Sequence, residues 1–188
     1  MAEATLYSRR IEQEWSLLQE LARINPKVLE IVERRRQADG DLFRIVLHET
    51  CSIAGWKGSD PVLVRSHPAT FRFPRFFPSV PIEAIVVTPV FHPNIDPLNG
   101  FVCLWTRSSP GDTVMEAARR LQQIIAWKSV NFDVEHVMQP EAVRWFQDPS
   151  HSAMAPFEYT PLVESGSFRL EKSFAERQGA PRRRLEPI

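Results

Sequence analysis

Proline placement constrains this chain more than any other feature, because proline fixes φ, lacks an amide proton and so leaves helices only a few windows. The first window closes at Asn25-Pro26, since the residue before a proline is pushed out of the helical region. Ahead of it Ile11, Trp15, Leu18 and Ala22 recur at i, i+4, i+7 and i+11, which gathers them on one face of a helix over roughly Ser8–Ile24. Two β-rich runs follow, VLEIVERRR and DLFRIVLHE, joined by Gln37-Ala38-Asp39-Gly40, whose Asp-Gly pair suits the positive φ of a tight turn. Gly55 to Pro61 punctuates the chain before a third strand expected around Ala69–Phe73. A fourth, IEAIVV, follows the proline-bounded FPRFFPSVP.

The stretch from Pro89 to Pro110 also holds Pro93, Pro97 and Gly100, yet it carries apolar residues, which predicts a long ordered surface segment rather than a linker. A second helix opens after it. Thr113-x-x-Glu116 has the form of a capping box, and Val114, Ala117, Leu121, Ile124 and Ile125 supply a buried stripe. Pro140 suits the first turn of a short third helix through Phe146, with Asn131 to Gln139 as the connection. Prolines 149, 156 and 161 then interrupt the chain until a short candidate helix at Ser167–Gln178 and a loose tail, PRRRLEPI. The expected order is αββββαα: an α+β domain over residues 1–148, followed by a C-terminal extension over 149–188.

Composition excludes several classes of function. Lys+Arg and Asp+Glu are both 23, so no global field steers the protein toward nucleic acid or an anionic membrane. Cys51 and Cys103 form neither a CxxC nor a Cys/His spacing, which argues against a disulfide framework and against a metal site and fits a reducing cytoplasm. No run of ~18 apolar residues is present and the N-terminal residues lack the apolar core of a signal peptide, so the expectation is a cytoplasmic protein, neither secreted nor membrane-embedded. Cys51, near a strand end, and the five tryptophans read as core or loop anchors, and Arg34-Arg35-Arg36 as a solvated strand end.

The informative cluster is Phe91-His92-Pro93-Asn94-Ile95, followed nine residues after Asn94 by Cys103 within Gly100-Phe101-Val102-Cys103-Leu104. This resembles the ubiquitin-conjugating enzymes, whose HPN tripeptide precedes an active-site cysteine at about this distance. The resemblance spans residues 8–147 in the family's order. Phe77-Pro78-Ser79-Val80-Pro81 looks like the family's YPxxPP turn, with Phe for Tyr and Ile82 for the final Pro. Ser109-Pro110-Gly111-Asp112-Thr113-Val114 is similar to its SPALTI segment. The resemblance implies a UBC-like fold: an N-terminal helix, a four-stranded antiparallel meander, an active-site loop, a central helix and a short following helix. The short loop between Cys103 and Pro110 and the proline-broken C-terminal region mark a divergent member. It is somewhat similar to conjugating enzymes of bacterial operons, some linked to antiviral defence.

The implied activity is that of a transferase. Cys103 would accept a ubiquitin-like modifier from an activating enzyme as a thioester and hand it to an amine of a target, with or without a ligase; no cofactor is implied. A thiol with a free pKa of ~8.5 is partly ionised near neutrality, so exchange of an already activated thioester needs no strongly tuned cysteine. By resemblance Asn94 stabilises the oxyanion formed in aminolysis or holds the loop around it, while His92 and Pro93 are structural. The family often places an acid in the loop after the second helix to receive the amine's proton. Counting back from Pro140-Glu141 puts His136 there, with Asp133 and Glu135 as alternatives. Arg9 and Arg10 on the first helix, with the loops at Ser79 and Pro110, are the implied docking surface for partners. Two other readings are a UBC-like scaffold that binds ubiquitin without catalysis, and a thiol hydrolase, which requires a histidine beside Cys103.

Overall fold

A computed structural model describes residues 5–164. The expected helix at Ser167–Gln178 and the arginine-rich tail lie outside the described residues.

Helix α1 spans Leu6–Ile24, with the Thr5 side chain accepting from the Ser8 amide at its N-cap. It buries Ile11, Glu14, Leu18 and Leu21, whereas Trp15 and Ala22 lie half-buried at the edge of the stripe. The Asn25 side chain closes the helix, donating to the Leu21 carbonyl at 2.8 Å. Strands β1 (Leu29–Gln37) and β2 (Gly40–Leu47) form the expected hairpin, and Gln37 pairs with Gly40. Gly40 is obligatory at φ +148°, since a Cβ there would stand 2.1 Å from the Phe73 carbonyl oxygen.

Residues Gly55 to Pro61, expected to be punctuation, belong instead to a second hairpin, β3 (Ser52–Lys57) and β4 (Asp60–Val64), which forms a two-stranded sheet of its own. Its apolar residues do not alternate cleanly between a wet and a dry face, and Trp56, Val62 and Leu63 stay exposed, so the period that announces a strand is absent. Strands β5 (His67–Pro74), β6 (Glu83–Val86) and the two-residue β7 (Phe101–Val102) complete the main sheet, antiparallel throughout in the order β1-β2-β5-β6-β7. Alternate residues of β2 and β5, among them Phe43, Ile45, Phe71 and Phe73, face the helices.

Helix α2 (Val114–Ile125) has both halves of the capping box formed, and all five residues of its expected stripe are buried. It is tied to α1 through Glu14, whose Oε2 accepts from the Val114 amide at 2.7 Å while Oε1 accepts from Arg10 Nε at 2.7 Å. Desolvation nonetheless raises the Glu14 pKa. Helix α3 (Pro140–Gln147) follows a 3-10 turn at Val134–His136, and a one-turn α4 covers Pro149–Ser152. Beyond α4 the chain returns along α2: the Phe157 amide donates to Ala126, the Leu162 amide to Gln122 Oε1, and Leu162 enters the main core. No described helix is long and apolar enough to cross a membrane.

Candidate active site

The site is assembled where the chain leaves β6 and comes back as β7. The Phe91 amide donates to the Ile53 carbonyl at 2.8 Å, which anchors the start of the turn to β3. His92 is fully buried, its ring centroid 4.8 Å from that of Trp127. Burial, opposed in part by the Ser129 backbone, pushes its pKa down to about 3, so the ring is neutral and Nδ1 accepts from the Asn94 amide at 3.1 Å. The Pro93 carbonyl accepts from the Met138 amide at 2.7 Å, and the Gln139 side chain donates to the carbonyls of Val90 and Ile95. The turn is thus clamped by the segment that leads into α3.

Asn94 is 2% exposed and joins both sides of the site. Its Nδ2 donates to the carbonyls of Asn131 at 2.7 Å and His136 at 2.9 Å, and its Oδ1 accepts from the Asn131 amide at 2.8 Å. Its own carbonyl accepts from the Cys103 amide at 2.9 Å. Both side-chain protons are therefore engaged with the 131–136 loop. In this geometry the amide holds the loop and leaves no free donor toward the sulfur.

Gly100 makes the return to β7 possible. At φ +73° its missing Cβ would stand 2.0 Å from the Val86 carbonyl oxygen, so the β6–β7 approach admits only glycine. Three residues on, Cys103 is half-buried, and desolvation raises its thiol above the ordinary value. Its Sγ lies 3.0 Å from His136 Nδ1. The imidazole is itself largely buried, at 16% side-chain exposure, and its Nε2 faces Glu135 Oε1 at 3.5 Å.

Of the three candidates for the amine's proton, only His136 touches the thiol. Glu135 is exposed behind the ring. Asp133 is exposed at the start of the 3-10 turn, where its carbonyl accepts from the His136 amide at 2.8 Å. The Trp105 carbonyl lies 4.0 Å from Sγ as a second acceptor for the thiol, while Trp105 Nε1 donates to the Ile82 carbonyl at 2.7 Å and the Arg120 guanidinium lies over the Trp105 ring at 4.7 Å. Among the described residues no group of three or more His, Cys, Asp or Glu side chains could hold a metal ion.

The four residues expected at a docking surface differ in availability. Arg9, Ser79 and Pro110 are exposed. Arg10 is engaged: besides its bond to Glu14 it donates to the Asp112 carbonyl at 3.1 Å and lies over the Phe77 ring at 5.4 Å. It links α1 to both loops of that surface. Cys51, by contrast with Cys103, is buried against Ile53 and Phe157, and burial raises its thiol.

Sequence reasoning missed Asn131 and Gln139, which hold the loop and the turn in place; both are polar residues at the ends of the connection, and their placement next to expected active-site segments was the available signal. Trp127 is the buried anchor expected of it, but its φ of 58° just past a helix end is a conformation the residue type does not announce.

No protein-family model matches the sequence, and no curated protein matches it. Among solved structures, a chain from Trypanosoma cruzi and one from Plasmodium yoelii, each named provisionally as a ubiquitin conjugating enzyme, superpose with a TM-score of 0.53 at 15% identity. The alignments cover 77% of this chain and 92% of the first, and 82% of this chain and 98% of the second. The chain therefore has the UBC-like fold, an α+β arrangement with an N-terminal helix packed beside an antiparallel sheet.

Proposed function

We propose that the protein is a conjugating enzyme of a ubiquitin-like pathway, which takes the modifier from an activating enzyme as a thioester on Cys103 and passes it to an amine of a target. The observation that carries this reading is Cys103 itself: a half-buried thiol at the mouth of the Asn94 loop of a UBC-like fold, with an imidazole 3.0 Å from its sulfur.

In loading, the Cys103 thiolate attacks the incoming thioester carbonyl and the activating enzyme's thiolate leaves. In discharge, the amine attacks the new thioester, His136 receives the amine's proton, and the Cys103 thiolate leaves. Asn94 acts through its three side-chain bonds to the 131–136 loop, which hold His136 at the reacting atoms. His92 and Pro93 shape the turn. The exposed Arg9, with Ser79 and Pro110, meets the activating enzyme and any ligase or target, and the reaction belongs in a cytoplasm that keeps Cys103 reduced.

The test supplies the modifier either with its activating enzyme and ATP or as a preformed C-terminal thioester. Wild type should form a reducible adduct, Cys103→Ser a reductant-resistant oxyester, and Cys103→Ala none. An adduct that persists in Cys103→Ala, or maps to Cys51, overturns the assignment. Noncovalent modifier binding with no adduct favours a ubiquitin-binding scaffold instead.

The same 3.0 Å contact supports a second reading, a thiol hydrolase, because it places a base beside the nucleophile. Release of the modifier to water as fast as to added lysine would select it.

A further inference from the structure

We infer that Cys103 and His136 form a proton-sharing pair in the uncharged enzyme, so that one imidazole serves both half-reactions: it is the thiol's base during loading and the amine's base during discharge. This rests on the conjugating reading above and extends it to a step for which a thioester-exchange cysteine requires no base.

The Sγ–Nδ1 distance of 3.0 Å is a direct hydrogen bond, and the His136 backbone that carries the ring is held from two directions. Asn94 Nδ2 holds the His136 carbonyl at 2.9 Å, and the 3-10 turn holds its amide on Asp133 at 2.8 Å. Burial works against a lone Cys103 thiolate, and a half-buried thiol with no partner would be slow near neutrality. A neutral imidazole in contact changes the equilibrium, because transfer of the S–H proton to Nδ1 creates opposite charges in contact rather than an isolated anion.

Among the described residues, four charged or titratable groups stand near the pair or its loop. Glu135 stands 3.5 Å from Nε2 and is 82% exposed to solvent. Asp133 stands exposed on the same turn, Arg120 of α2 lies over Trp105, and the buried His92 beneath the loop is neutral.

The proton balance closes over a full cycle. Cys103 S–H transfers its proton to Nδ1, and the thiolate forms a bond to the modifier's carbonyl carbon. The bond to the activating enzyme's sulfur breaks, and that departing thiolate takes the proton from Nδ1. Acylation removes the thiol from the imidazole, which is now neutral and free to accept. An amine then forms the amide bond, its proton moves to Nδ1, and Cys103 leaves as a thiolate beside an imidazolium, which is the state ready for the next loading.

The experiment needs no modifier at its first stage. Iodoacetamide alkylation of the full chain is followed at each cysteine by mass spectrometry across pH 5–9, with Cys51 as the internal control. Wild-type Cys103 should react at pH 6 about 10-fold faster than in His136→Gln, with the two converging at the alkaline end, because the pair titrates as a unit. Superimposable profiles overturn the pair. Should His136→Gln unfold, the His136 imidazole is followed by NMR in wild type and Cys103→Ala: protonation persisting to higher pH in wild type supports the pair, and identical titrations overturn it.

The second stage measures loading from a preformed modifier thioester. A His136→Gln defect of about 10-fold at pH 6.5 that disappears by pH 9 supports the loading role, and equal rates at pH 6.5 overturn it. Failure of every variant and of wild type to load, with the alkylation difference intact, would remove the conjugating reading and leave the pair standing.

Discussion

The cluster between the main sheet and helices α1 and α2 is largely aliphatic and draws mostly on elements with regular periods, whereas the smaller cluster beside α3 is half aromatic and draws on α3, β3 and the loops around them. Leu18, Leu121, Ile45 and Phe71 belong to the first, Trp127, Phe91, Trp145 and Phe146 to the second. The two differ in what they touch. The aliphatic cluster holds sheet and helices together over the whole domain. The aromatic one grips the turn of the candidate site: Trp127 Nε1 donates to the Phe91 carbonyl at 2.9 Å, and the Trp127 ring packs against His92. Val90, Ile95 and Leu104 bring the site segments into the aliphatic cluster as well, so substitutions in each cluster test how far stability and site geometry separate.

The largest expected effect lies in the aliphatic cluster. Leu121 is fully buried at the centre of α2, so Leu121→Ala should lower the unfolding free energy by about 3 kcal/mol or more, from lost transfer energy plus the cavity left behind. Chemical denaturation measures it. The same variant, assayed where it is folded, should load Cys103 at the wild-type rate. A large loading defect in the folded protein would mean that the two clusters are not separable.

A smaller effect distinguishes the clusters by pH. His92 has a folded pKa of about 3 against an ordinary 6.5, so between those values the unfolded chain binds a proton that the native state refuses. Its stabilising contribution is present above pH 6.5 and is lost as pH falls through the window, at about 1.4 kcal/mol per unit. From pH 7 to 5 the loss should be about 2 kcal/mol. His67, lowered by burial, acts with the same sign. Glu14, raised by burial, acts oppositely: its contribution is present below its ordinary 4.5 and is lost as pH rises through its folded value. Denaturation curves of wild type and His92→Gln at pH 7 and 5 test this, and an equal pH dependence in both would show that His92 is not the group responsible.

Legibility in the sequence followed the same division. The α2 stripe and its capping box could be read because period and cap are local signals, and so could the β1–β2 hairpin from its Asp-Gly turn. Glu14 could not, because a charged residue becomes a core residue only through Arg10 and the Val114 amide, the latter 100 positions away. The β3–β4 hairpin lacked alternation. At the site, Cys103, Asn94 and His136 could be named from motif and count, but the contact between Cys103 and His136 spans 33 positions and depends on how Asn94 bonds the loop. No local pattern encodes such a distance.

The smallest expected effect on stability concerns Trp127, and it bears most directly on the site. Trp127 occupies the position just past α2 at φ 58°, a left-handed conformation that costs a bulky residue about 1–3 kcal/mol and is more often filled by glycine. The surrounding contacts must outweigh that cost: the bond to Phe91, the stack on Phe146 with centroids 5.4 Å apart, and the edge contact with His92. Trp127→Phe keeps most of the ring packing and the backbone strain but deletes the indole N–H. The Phe91 carbonyl is then left without that donor, at a cost of about 1–1.5 kcal/mol in unfolding free energy. The kinetic consequence should be larger in proportion, because Phe91 immediately precedes His92-Pro93-Asn94, and Asn94 holds His136 against the sulfur. Single-turnover discharge of preloaded Trp127→Phe to free lysine should slow several-fold at pH 7, with the defect shrinking at higher pH as the amine loses its proton unaided. Discharge at the wild-type rate, with stability reduced as expected, would show that the aromatic cluster is a second core and nothing more. A discharge defect in Leu121→Ala as large as in Trp127→Phe would erase the contrast from the other side.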